Sequence, residues 1–94
     1  MAELWRKDWQ LRLQRRRPAL LKQLDAALLF QYLISARPKD EAIHTVWLRV
    51  RDKAEPDRAL VLLDDLLLKR DADFFGIFLR ALSESGQGHI RELL

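Results

Sequence analysis

From Trp5 to Leu94, apolar side chains return at intervals of three and four with almost nothing to interrupt them. That spacing gathers them on one face of a 3.6-residue helix, whereas a half-buried strand requires strict alternation. Only three glycines and three prolines punctuate the 94 residues. β-Branched residues are few and scattered, and the good helix formers Leu, Ala, Arg, Lys, Glu and Gln dominate. The chain is therefore expected to be all-α, with the few breakers deciding where each helix ends.

Six helices are predicted. The first covers about 2 to 24 and contains Pro18, which lacks a backbone donor and clashes with the preceding turn. It must kink or split near Arg17, with Pro18 opening a second half. Trp5, Trp9, Leu13, Leu20, Leu21 and Leu24 are its inward residues. The second helix, 26 to 36, is capped by Asp25 and ended by Arg37-Pro38, with Leu28, Leu29, Tyr32 and Leu33 as its stripe. The third, about 40 to 52, buries Ile43, Val46, Trp47 and Val50 and sets Asp40 and Glu41 at its positive end. Pro56 opens the fourth, about 57 to 70, which packs Leu60, Leu63, Leu66 and Leu67 and leaves Leu62 or Leu68 more exposed. The fifth, 72 to 85, is capped by Asp71 and buries Phe75, Phe78, Leu79 and Leu82 with Phe74 beside them; Gly86 stops it. The sixth, 87 to 94, uses Ile90, Leu93 and Leu94. Short connections predict an antiparallel bundle, with residues 1–94 as one domain.

No cysteine is present, so disulfides and thiolate metal sites are excluded. No apolar run reaches membrane-spanning length, and residues 5 to 17 are too basic for a signal peptide. A cytoplasmic location is the resulting expectation. Charge is unevenly spread: residues 1 to 24 hold seven Lys/Arg against two acids, and residues 25 to 94 hold ten against twelve. A basic end of this kind seeks nucleic acid, acidic lipid or an acidic protein patch.

The stretch GQGHIR, residues 86 to 91, invites a search for chemistry. A dinucleotide fingerprint needs a third glycine, where Arg91 stands, and a strand before it, where a helix is predicted. A corner between two helices is the better reading. His44 and His89 are far apart and form no metal-binding pair. Ser83 and Ser85 lie near His89 without an evident orienting acid or oxyanion hole. Asp64 and Asp65, being adjacent, point to different sides of the fourth helix and make no acid/base pair. No catalysis, metal or cofactor is expected. QRRRP, residues 14 to 18, is the strongest charge signal, and one reading is a small basic helical domain binding nucleic acid or an acidic membrane surface through this arginine cluster. It comes without a polar recognition helix or an aromatic stacking platform.

The second half of the chain carries a more specific pattern. Leu62, Leu63, Asp64 and Leu66 followed by Lys69 and Arg70, then Phe75, Phe78, Leu79 and Leu82, then Ser85, Gly86, Gln87, Ile90, Leu93 and Leu94, together resemble a caspase recruitment domain (CARD). LLFQYL, residues 28 to 33, is similar to the second helix of adaptor-type members, and a broken first helix is a feature of the family. The resemblance implies a six-helix antiparallel bundle of the Greek-key death fold, expected as the N-terminal module of a longer protein. It implies no enzyme activity, and homotypic binding to other CARDs of caspases, scaffolds or adaptors, including further copies of itself, to assemble apoptotic or inflammatory signalling proteins. In that family a basic surface on helices 1 and 4 meets an acidic surface on helices 2 and 3. Carried onto this chain, the basic residues are Arg12, Arg15, Arg16, Arg17, Arg51, Lys53 and Arg58, and the acidic ones Asp25, Asp40 and Glu41.

Overall fold

The computed structural model describes residues 8–94, and every regular element among them is helical. Trp5 and the start of the first predicted helix lie outside the described residues. The helices are α1 (Asp8–Arg15), α2 (Arg17–Gln23), α3 (Ala26–Ala36), α4 (Glu41–Val50), α5 (Asp57–Val61), α6 (Ala72–Glu84) and α7 (Gly88–Leu93). α1 and α2 are the two halves of the interrupted first helix. Arg16 leaves helical geometry between them, at φ −97° and ψ 6°, and Pro18 sits in the first turn of α2, where its missing N–H removes no helical bond.

Three helices start on an aspartate that satisfies otherwise orphaned N–H groups. The Asp25 carboxylate accepts from Leu28 N at 3.2 Å, Asp40 from Ala42 N and Ile43 N at 3.1 and 3.3 Å, and Asp71 from Phe74 N at 3.0 Å. α6 ends as expected at Gly86, whose φ of +79° suits glycine. Gln87 N–H donates to Leu82 O at 2.8 Å and Gly86 N–H to Ser83 O at 3.3 Å, the paired bonds of a Schellman cap.

The fourth predicted helix differs most. α5 runs on into one π-helical turn, Leu62–Leu66, and a 3₁₀ turn, Leu67–Lys69. A π turn takes in an extra residue and shifts the register that α-periodicity assumes. Leu62, expected to be among the more exposed, is fully buried with Leu63, Leu66 and Leu67, while Leu60 is only half-buried. Pro56 precedes α5 as its cap residue instead of standing inside it. In α3 the buried set is Ala26, Leu29, Phe30 and Leu33, and Leu28 is 39% exposed. The sequence of α3 is apolar almost all round, so spacing alone allows two overlapping stripes. Packing against α4, α5 and α6 selects the one containing Phe30, whose ring lies 5.2 Å from that of Trp47. Leu21 and Leu79 are half-buried, and Ala81 joins the α6 core face.

α3 and α6 form the centre of the bundle. α4 and α5 pack on α3, α7 packs on α6, and α2 lies against α5. Trp9 of α1 stacks on Phe75 of α6 at 5.3 Å.

Candidate protein-binding surface

The GQG corner resolves into structure before any surface is considered. Gln87 is 5% exposed, and its amide grips the backbone that joins α2 to α3. Asp25 N–H donates to Gln87 Oε1 at 2.8 Å, and Gln87 Nε2 donates to Asp25 O at 3.2 Å and to Ser85 Oγ at 3.0 Å. The side chain bridges the starts of α3 and α7, sharing Asp25 O with Leu29 N–H, which donates to it at 3.1 Å. Ser83 accepts from Arg91 Nη1 at 2.8 Å, and Ser85 donates to Leu82 O at 3.3 Å. Both hydroxyls are thus tied into the end of α6.

The predicted basic residues divide into engaged and free. Arg17 makes a bidentate pair with Asp64, at 2.6 and 2.7 Å, which straps α2 to the π turn. Each partner's charged form is favoured chiefly by this hydrogen bond, against an opposing cost of burial: the Arg17 guanidinium is pushed up and the Asp64 carboxyl held down. Arg58, only 16% exposed at its side chain, donates to Val50 O at 3.2 Å, to Arg51 O at 3.1 Å and to Lys53 O, and approaches Glu55 at 3.6 Å. It adds a side-chain donor to carbonyls at and just beyond the C-terminus of α4, of which Val50 O also accepts from Lys53 N–H at 2.9 Å. Arg12 donates through Nε to Leu94 O at 2.5 Å and lies over the Phe75 ring. Among the described residues the Arg51 side chain makes only a long exposed contact with Asp52, at 3.9 Å. Arg15, Arg16 and Lys53 are exposed, and among the described residues their side chains have no ionic partner.

The predicted acidic residues divide similarly. Asp40 caps α4 and also holds Arg70 with both oxygens, at 3.1 and 2.7 Å. Its side chain is 10% exposed, and the hydrogen bond from Arg70, helped by those from Ile43 N and Ala42 N and opposed by burial, keeps its carboxyl below the usual range. Arg70 in turn stacks over Phe74, 4.2 Å from the ring centre. Asp25 is a cap, and Glu41 is exposed in the first turn of α4. Asp64 and Asp65 do diverge, Asp64 toward Arg17 on α2 and Asp65 toward Arg49 on α4.

Sequence reasoning missed Arg49 and Arg70 as the partners of these acids. Their pairs span 16 and 30 residues, and no local spacing signals a contact of that length. Among the described residues no group of His, Asp and Glu is arranged to hold a metal ion, and no helix is long and apolar enough to cross a membrane. Among the described residues, the α1–α2 corner has two arginines without an ionic partner, and of the predicted acidic residues Asp40 is paired while Glu41 stands exposed. Comparison with family models, curated proteins and solved structures returns no match for this chain.

Proposed function

We propose that this chain is a CARD-like interaction module of the death fold, without catalysis of its own, that binds related domains in signalling assemblies through the basic corner of α1 and α2. The observation that carries the reading is the state of the charges. Arg15 and Arg16 stand exposed and unpaired among the described residues, whereas of the acidic candidates Asp40 is locked to Arg70 and Asp25 caps α3, which leaves Glu41. The broken first helix and the pattern of Phe75, Phe78, Leu82, Gly86, Gln87 and Ile90 support the family reading. Its natural partner is then a domain with an acidic face, in a role resembling that of an initiator caspase toward its scaffold. A non-closing contact of basic against acidic surface, repeated, grows into a disk or filament. Charge sets its orientation and rate, and several modest pairs must act together.

The test is particle size by light scattering over a range of salt, for the wild type and for Arg15→Glu with Arg16→Glu, with duplex DNA and anionic vesicles assayed in parallel. Salt-sensitive association with itself or with an acidic CARD, lost in the double variant at unchanged helicity, is the expected result. Binding to DNA or vesicles with a steep salt dependence, and to no protein, would replace this reading with the nucleic-acid or membrane one.

A further inference from the structure

Two bidentate ion pairs among the described residues have different surroundings. Asp40 is a helix cap as well as a counter-ion, and it lies 10% exposed. Asp64 caps no helix among the described residues, and among them its side chain accepts hydrogen bonds from Arg17 alone. The Arg17 and Asp64 side chains are 28% and 42% exposed, so the pair sits at the surface. Arg17 lines a small crevice together with Leu13, Gln14, Leu63 and Leu68, and its guanidinium is oriented there by the two hydrogen bonds to Asp64. The fork presented to Asp64 is the geometry any carboxylate would meet. Arg15 and Arg16 precede it directly, exposed and unpaired among the described residues, so this corner carries three arginines against one aspartate.

We propose that Arg17 is a docking site for a carboxylate on an acidic protein partner, and that Asp64 is the removable counter-ion occupying it in the free domain. This rests on the reading of the α1–α2 corner as a binding surface and adds how that surface is held in check. Arg15 and Arg16 attract the partner, whose carboxylate then replaces Asp64 on a guanidinium already oriented. Holding the fork in advance lowers the ordering cost of the contact, while the internal pair weakens binding by whatever it contributes to the free domain. An exposed pair of this kind corresponds to about a two- to fivefold effect on affinity.

The experiment is anisotropy titration of labelled poly-glutamate against the wild type, Asp64→Asn, and Glu84→Gln. Glu84 is exposed and, among the described residues, unpaired, so its variant makes the same change in net charge without releasing an arginine. Asp64→Asn is expected to bind about two- to fivefold more tightly than Glu84→Gln, and the Arg17 Nε–Hε NMR signal is expected to shift on addition of the polymer. Equal affinity of the two variants, no binding by Asp64→Asn, or an unmoved Arg17 signal would overturn the proposal. The Arg15→Glu/Arg16→Glu protein separates the two levels. Undiminished binding there overturns the basic-corner reading itself, whatever Asp64 does.

Discussion

Replacing Gln87 with alanine tests whether one side chain holds the α2–α3 junction to the α6–α7 corner. The amide is 5% exposed and makes three hydrogen bonds, two to the backbone of Asp25 and one to Ser85 Oγ. A typical intramolecular hydrogen bond contributes about 1 kcal/mol net, and a buried group stripped of its partner costs about 1–3 kcal/mol. Asp25 lies at an exposed junction, where water can reach part of what the amide leaves, so the expected loss is about 2–3 kcal/mol. At about 4–8 °C per kcal/mol for a domain of this size, Tm falls by roughly 10–20 °C. Urea denaturation followed by far-UV circular dichroism reads the change, with an unchanged m-value showing that both states keep their compactness. Gln87→Glu sharpens the argument. It keeps an acceptor for Asp25 N–H but loses the donor to Asp25 O, and it buries a charge, so it should be at least as destabilising at neutral pH and recover partly in acid as the carboxyl becomes a donor. A loss below about 0.5 kcal/mol for Gln87→Ala, the range of an ordinary surface change, would refute the bridge.

Four further outcomes are expected. Leu62→Ala should cost about 2–5 kcal/mol as a fully buried leucine, while Leu48→Gln, at a site 61% exposed, should stay within about 0.5 kcal/mol; the reverse order in a denaturant series would contradict the π-turn register. Gly86→Ala should destabilise by about 1–2 kcal/mol, because only the left-handed backbone is at stake and a methyl group would meet nothing within 4 Å. Gly76→Ala, in the exposed interior of α6 with equally open space, should stabilise by about 0.5–1 kcal/mol in the same melt. Acid unfolding should be shallower in Asp40→Asn. The native carboxyl is held low chiefly by Arg70, so its contribution is fully present above about pH 4 and lost as pH falls through the native value; an unchanged acid limb would count against that pair.

Much of this architecture was legible because the signals are local. Capping by Asp25 and Asp71 depends on N–H groups three residues away, the α1–α2 break on the ring of Pro18, and the end of α6 on the backbone freedom of Gly86; Asp40, expected at the positive end of its helix, is also a cap. The all-helical character follows from apolar spacing summed over the whole chain. The same spacing gave an ambiguous answer where a segment is apolar on several sides, as at Leu28 and Phe30, and a misleading one at Leu62, where a π turn breaks the assumed period. Which arginines remain free to bind was not legible at all. Arg15, Arg16, Arg17 and Arg58 look alike in the sequence, and their difference arises from partners brought near by folding: Asp64, 47 residues from Arg17, and the carbonyls at the end of α4 for Arg58. Helix formation is decided by neighbours along the chain and is therefore written locally. The availability of a charge is decided by whatever neutralises it in space, and only the packed bundle brings those groups within hydrogen-bonding range.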